Sequence, residues 1–296
     1  MTQKAPELAN IALARAQANR VSVFGIESPF WFYPAKTRSR GQILLVHGYR
    51  GTHEGLAAIV ASLQDFDCFV PDLPAFGESG PLASEHSVEN YAKWLEAFVA
   101  ALNLEKSAAI LGHSFGTLVV GCYAAKNPAH RIILVNPVSE PAMQGPRTFM
   151  TKLSRFYYRF SAVMAPNVGM WLLSLPPVVW LVTAVMFKSD DRALRKWVEN
   201  QHSTFFSRFT SAKTAAEGFE ASIAHNLTEY APNILQKTLL ICADQDDVTS
   251  IQAQRAAAEL YPDATYVELT GVGHLTHYER PVEIASHTRE FLRDTK

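Results

Sequence analysis

Ala108-Ala109-Ile110-Leu111-Gly112-His113-Ser114-Phe115-Gly116-Thr117-Leu118-Val119-Val120 is the stretch on which the fold turns. Its first four residues are small or apolar without a polar break, the composition of a strand buried on both faces. From Thr117 to Lys126 the apolar positions return at helical spacing. Between strand and helix stands a Gly-x-Ser-x-Gly pentapeptide, residues 112–116. Such a short motif recurs by chance, but a strand directly before it and a helix directly after it give it weight. A turn that tight forces Ser114 into strained dihedrals, and side chains at 112 and 116 would collide with neighbouring backbone. The hydroxyl is thereby lifted above a sheet at a helix N-terminus, where the dipole and free N–H groups favour a developing oxyanion. Ser114 is therefore read as a nucleophile.

Outward from this stretch the strand pattern repeats. Ile43–Val46 is apolar throughout and stops at His47-Gly48, and similar runs occupy Cys68–Val70, Ile132–Val135, Thr238–Cys242 and Thr265–Leu269. Two earlier strands are expected around Val21–Phe24 and Phe30–Tyr33, after a short helix over residues 2–18 with Leu8, Ile11 and Ala12 on one face. Helical periodicity fills Leu56–Leu63, Tyr91–Leu102, Ile251–Leu260 and Val282–Leu292. Alternating strands and helices predict an α/β fold, a mostly parallel sheet flanked by helices on both sides. The alternation fails once, after the sixth strand. Residues 137–233 carry no clear strand signal and are rich in aromatic and apolar residues. They read as a helical cap over the C-terminal edge of the sheet, where α/β folds build their sites. Residues 1–136 and 234–296 would then form the catalytic core.

The 296 residues are 48% hydrophobic and 19% charged, ample for a large core. Lys and Arg (27) nearly balance Asp and Glu (28), so nothing electrostatic recommends a nucleic acid as partner. Cys68, Cys122 and Cys242 sit apart in apolar stretches, as free buried thiols do. No secretory signal pattern is visible at the start, so a cytoplasmic enzyme is the default. From Ser161 to Phe187 there is no charged residue, a length that would suit a membrane span. Pro166, Pro176 and Pro177 break the run, and two short apolar helices meeting at the Pro pair are expected instead.

With Gly112–Gly116 in this setting, the chain resembles the α/β-hydrolase superfamily from Val21 to Arg293, apart from the insertion, and within it the capped esterase and lipase branch. The resemblance implies further roles. His47-Gly48-Tyr49 matches the family's His-Gly-x element, so the backbone N–H groups of Tyr49 and Phe115 would form the oxyanion hole. His47 itself would brace the loop. Pro71–Ser79 resembles the family's Asp-x-Pro-Gly-x-Gly-x-Ser stretch, with Ala75 where glycine is usual. Asp72 in it is architecture, on the wrong strand for catalysis.

A serine hydroxyl needs a base, and the base an orienting acid. In this family the order along the chain is Ser, then Asp or Glu, then His. His274, in Gly271-Val272-Gly273-His274, matches the terminal histidine, while His277 suits a pocket rim or a structural post. Aligning Ala243 with the family's glycine makes Asp246 the acid. Asp244 is its rival, and Glu140, after the sixth strand, is a distant third. The other histidines show no ligand spacing and no nucleotide signature is present, so neither metal nor cofactor is expected.

The expected activity is cleavage of a carboxylic ester through an acyl-enzyme, on a small apolar substrate with a medium or longer acyl chain. The same triad serves carbon–carbon bond hydrolases, lactonases, thioesterases and cofactor-free haloperoxidases, and an idle triad would leave a ligand-binding protein. Within the cap, Met170, Trp171 and Trp180 are expected to line an acyl pocket. The same apolar surface would otherwise bury itself in a homodimer or touch lipid.

Overall fold

The computed structural model describes residues 4–143 and 148–293. Eight strands form one sheet: β1 (Gln17–Val23), β2 (Ile26–Tyr33), β3 (Gln42–Val46), β4 (Asp67–Pro71), β5 (Ala109–His113), β6 (Arg131–Val135), β7 (Thr238–Ala243) and β8 (Ala264–Leu269). Their order across the sheet is β1-β2-β4-β3-β5-β6-β7-β8. β1 and β2 join by antiparallel ladders, and from β4 to β8 every pair is parallel. The chain has the α/β-hydrolase fold, and the parallel part explains the unbroken apolar runs, because strands covered on both faces alternate between two apolar environments.

Those environments are two separate cores. Leu44, Val46, Ile110, Ile132, Leu134 and Leu240 point into one, shared with the helices α3 (Val88–Ala101) and α4 (Phe115–Ala124). Ile43, Leu45, Leu111, Ile133, Val135 and Ile241 point into the other, against α1 (Ala5–Leu13), α2 (His53–Ser62) and the final helix, which spans Pro281–Arg293. The three cysteines are free and buried.

Between β6 and β7 no strand occurs among the described residues. Five α-helices and two short 3-10 turns are described there: α5 (Thr148–Val163), α6 (Pro166–Leu173), α7 (Pro176–Met186), α8 (Arg192–Phe205) and α9 (Ala212–Ala224), then the turns Leu227–Glu229 and Ala231–Asn233. After β7 come α10 (Ile251–Ala258), α11 (Thr276–Glu279) and the final helix, α12. The uncharged stretch folds as the two short helices α6 and α7, broken at Ser174 and Leu175 just ahead of the Pro pair, with a proline in the first turn of each.

Several boundaries differ from expectation. The first helix ends at Leu13 rather than 18, because Gln17 is already paired with Phe32 in the β1–β2 ladder; residues 2 and 3 of that expected helix lie outside the described residues. β1 starts four residues early because its outer part is exposed and polar, with no alternation to reveal it. Helices α2 and α3 start before their apolar periodicity does. In α3 the cap is Ser87, whose side chain accepts from the Asn90 N–H. Ala75 keeps the left-handed backbone that a glycine would occupy, at φ +72°.

Candidate active site

The turn between β5 and α4 is as strained as the sequence requires. Ser114 sits at φ 53°, ψ −122° and ends the strand while opening the helix. A Cβ on Gly112 would lie 2.6 Å from the Gly116 carbonyl oxygen, and one on Gly116 would lie 2.4 Å from that of Val46. Real Cβ atoms do not come that close, so both glycines are sterically obligatory. Gly48 is pressed against the same place, where its Cβ would meet the Ser114 Cβ at 3.1 Å. The His47–Tyr49 loop thus crosses directly over Ser114, and Phe115 is the first helical residue of α4, whose N–H has no acceptor one turn earlier in the helix.

His274 comes from the loop after β8. Its Nε2 accepts from the Ser114 hydroxyl at 2.7 Å, and its Nδ1 faces the Asp246 carboxylate at 2.8 and 3.0 Å. His274 and Asp246 are buried, at 3% and 5% exposure, so the bonds between them are shielded from water, while Ser114 at the head of the chain is half-buried. Such an arrangement can move the serine proton onto the imidazole while the carboxylate holds the ring and stabilises its positive form. The rival acids are occupied elsewhere. Asp244 accepts from the Gly271 and Val272 N–H groups, and Glu140 accepts from the Ser250 N–H and hydroxyl.

Asp246 is itself fixed by the N–H groups of Val248 (2.6 Å) and Thr249 (3.3 Å). Asp247 pairs with Lys188, just beyond α7, so the acid loop is tied to the helical insertion. The insertion also reaches the histidine loop: a Cβ on Gly273 would lie 2.6 Å from the Met186 carbonyl oxygen. Buried Glu279 accepts from the Gly273 N–H at 3.2 Å and the Ser189 N–H at 2.7 Å, joining the same two segments. Burial raises its carboxyl above the ordinary range against those hydrogen bonds.

His47 braces its loop, as the sequence suggests. Its Nδ1 donates to the Gly48 carbonyl at 2.8 Å and its Nε2 accepts from the Leu73 N–H at 2.8 Å. Burial holds it below the usual histidine range, so it stays neutral.

Two residues near His274 were not legible as site residues. Asn136 directly follows β6 at φ 47° and is fully buried; its Nδ2 donates to the carbonyl oxygens of His274 (2.9 Å) and Gly273 (3.1 Å). The His274 carbonyl also takes the Nε2 of His113 at 3.3 Å. Burial, then the nearby His274, pushes His113 down to about 3, so it stands here as a neutral donor. Its ring packs 4.0 Å from that of His277, which is buried too rather than rimming a pocket. The sequence signal for Asn136 is only its place before Pro137, at a strand end.

His53, Glu54 and Asp72 bring ligand-type atoms within 4.8 Å of one another, the one such group among the described residues. Asp72 is already engaged by the His53 N–H (2.8 Å), the His53 Nδ1 (3.2 Å) and the Glu78 N–H (2.9 Å). Burial would raise its pKa, but the His53 hydrogen bond, the nearby histidines and the Glu78 N–H together hold it low. The His53 ring also stacks on Trp31 at 3.2 Å. The donor set is that of a loop brace, with Asp72 as the architectural residue the sequence suggests.

The insertion meets the core around Tyr49 and Arg50. The Tyr49 hydroxyl donates to the Ala215 carbonyl at 2.7 Å, and its ring packs edge-on against Phe76, Phe115 and Tyr158. Arg50, at φ 56° and 2% exposure, donates to the Phe206 carbonyl (2.8 Å), the Leu173 carbonyl (2.8 Å), the Tyr158 hydroxyl and the Ser207 hydroxyl (both 3.1 Å). Leu173 and Phe206 lie at the C-terminal ends of α6 and α8, the negative ends of two helix dipoles. A buried guanidinium is thus balanced by helix ends.

The residues expected to line an acyl pocket are divided. Met170 is half-buried and packs against the core cluster that contains Phe115 and Tyr158, but Trp171 and Trp180 are 61% and 58% exposed. That expectation is corrected for both tryptophans: α6 and α7 bury Gly169, Leu173, Val179 and Thr183, and their other sides turn outward.

A family model described as alpha/beta hydrolase fold matches residues 42–281. Among curated relatives, Lipase 1 of Psychrobacter immobilis is 23% identical over 84% of this chain and 76% of its own. Monoacylglycerol lipase abhd6-B of Xenopus laevis is 22% identical over 87% of this chain and 77% of its own. Among solved structures, the enol-lactonase from Burkholderia xenovorans LB400 superposes with a TM-score of 0.77 at 20% identity, over 93% of this chain and 100% of that one.

Proposed function

The chain belongs to the α/β-hydrolase fold family, as an esterase- or lipase-like hydrolase, and from that premise we propose that it cleaves carboxylic esters through an acyl-enzyme formed on Ser114. The observation that carries this reading is the hydrogen-bonded chain Ser114–His274–Asp246, its histidine and acid buried and its serine half-buried, on a strained strand-to-helix turn. His274 takes the hydroxyl proton as Ser114 Oγ attacks the ester carbonyl. The Tyr49 and Phe115 N–H groups receive the oxyanion, and Asp246 steadies the imidazolium. His274 then returns the proton to the departing alkoxide, and water, activated by the same imidazole, releases the acid. Asn136 and His113 hold the His274 backbone in register for both halves.

Helices α5–α9 serve as a cap. Tyr49, Phe76, Phe115, Tyr158 and Phe219 form one aromatic cluster where that cap meets the core. Met170 packs against the same core, and these walls suit an apolar acyl chain of medium or greater length. No cofactor is needed for any step. The chemistry is compatible with a cytoplasmic setting.

Labelling with a fluorophosphonate probe, followed by peptide mapping, tests the nucleophile: Ser114 carries the probe, and labelling at another serine overturns the assignment. Measuring kcat/KM for p-nitrophenyl esters from acetate to laurate tests the acyl arm. Each buried methylene contributes up to about 0.8 kcal/mol, so the rate constant rises several-fold per pair of carbons until the wall is filled. A profile that peaks at acetate removes the apolar arm from the proposal.

A further inference from the structure

The large apolar side chains left in solvent are not scattered. Of fifteen among the described residues, eleven fall between Phe149 and Val185, on α5, α6 and α7. On α5, Phe149, Leu153, Phe156, Phe160 and Val163 recur at alternating steps of four and three, which aligns them in one stripe along the helix. They are 44–75% exposed. The opposite side of α5 faces α9, where Tyr158 stacks on Phe219 at 4.5 Å. Soluble chains rarely leave so much contiguous apolar surface without a partner.

Charge chooses the partner. From Pro141 to Ser189 the sequence has no Asp or Glu but five basic residues, Arg147, Lys152, Arg155, Arg159 and Lys188, which leaves the rest of the chain at −6. Arg155 and Arg159, beside the stripe, share the single carboxylate of Glu220, so a positive charge remains over. Lys152 has no ion-pair partner among the described residues. A second copy docking face to face would press this basic flank against itself. A surface that is apolar beneath and anionic at its boundary matches both properties, and that is an anionic lipid layer. Trp171 and Trp180, exposed on the next two helices, are of the residue type that settles at such a boundary.

We propose that the outer face of α5–α7 docks on an anionic lipid surface, with the α5 stripe entering the headgroup–acyl boundary and Lys152, Arg155 and Arg159 at the level of the phosphates. The chain lies on that surface and does not cross it. End to end, Pro166–Met186 covers 21 residues and is apolar enough to span by length and composition. It is divided at Ser174 and Leu175, however, into α6, with 8 residues, and α7, with 11, each short of the ~20 that one spanning helix needs.

The test is flotation of the purified chain with phosphatidylcholine vesicles, with and without phosphatidylglycerol, at low and raised salt. The chain floats with the phosphatidylglycerol vesicles, and salt or pure phosphatidylcholine weakens the binding. Phe149→Glu with Phe156→Glu lowers partitioning by about tenfold or more. Lys152→Glu lowers it by about fivefold. All three positions are exposed or half-buried on the surface, so both variants retain the wild-type circular dichroism melt and the wild-type rate on a short soluble ester. Ser114→Ala floats like wild type, which separates this inference from the proposed chemistry. Failure of the wild type to float, or unchanged flotation of the double phenylalanine variant, overturns it. A dimer in sedimentation equilibrium that the double variant dissolves, with no flotation of either, assigns the face to a second copy and overturns it too.

Discussion

Strand β5 and helix α5 are both rich in apolar residues, yet the fold treats them oppositely. All five residues of β5 are buried, whereas α5, with 16, buries only Tyr158 and Ser161. The strand has β3 on one side, β6 on the other and helices over both faces, so each of its residues has an assigned neighbour. The helix has neighbours along one side only. Apolar composition therefore reports position where the architecture repeats, and reports unspent surface where it does not.

The difference predicts where substitutions destroy function and where they loosen structure. The largest effect belongs to the core. Ser114→Ala is expected to lower ester turnover by about 10⁴–10⁶ with the thermal melt unchanged. Substantial residual turnover would place the chemistry elsewhere. Next is Asp246→Asn, expected to cost about 10⁴ in turnover because His274 loses the acceptor that fixes its tautomer. Steady-state kinetics of that variant decide whether the buried carboxylate acts as the geometry suggests.

Acid sharpens the contrast differently. Burial depresses His47, His113 and His277 in the core and His202 in the insertion. A base with its folded pKa below its unfolded value gives stability that is complete above the unfolded value and is lost as pH falls. The window runs from 6.5 down to about 4 for His202 and about 3 for His113. Glu279, raised by burial, opposes them as a single group. Calorimetric Tm should therefore fall steadily from neutral pH through this window, and His202→Gln should flatten the slope. A Tm constant down to about pH 4 would refute the account.

Arg50→Met probes the joint between the regions. It strips donors from the Leu173 and Phe206 carbonyls and the Tyr158 hydroxyl, at an expected cost of about 3 kcal/mol. Limited proteolysis should then cut within α5–α9 before any sheet strand, and cuts spread evenly over the core would break the comparison. The smallest effect is expected from Asp244→Asn. An asparagine oxygen still accepts from Gly271 and Val272, so stability should change by about 0.5 kcal/mol and turnover hardly at all. A dead Asp244→Asn enzyme would exchange the roles of the two acids.

Legibility followed the same division. The buried parallel strands and the Gly112–Gly116 turn could be read because steric rules there admit few residue types. Ser114, Asp246 and His274 stand in the loops the strand pattern pointed to, and they meet in space. Asn136, His113 and Arg50 could not be read, since what matters in each is a contact with residues 123 to 161 positions away and not a local pattern. Helix starts at Val88 and His53 were hidden by polar first turns. Trp171 and Trp180 misled because an apolar run with no internal period carries no information about which side faces in.

Arg50 has a consequence for modular exchange. By sequence it belongs to the core, one residue after Tyr49, but its main acceptors are backbone and side-chain oxygens of the insertion. Transplanting residues 137–233 into a related scaffold would carry the acceptors away from their cation. Replacing them here with another protein's helices would strand a guanidinium in the interior, where an unmatched charge costs several kcal/mol. The natural graft boundary is therefore discontinuous: the insertion together with position 50, sutured in as one unit.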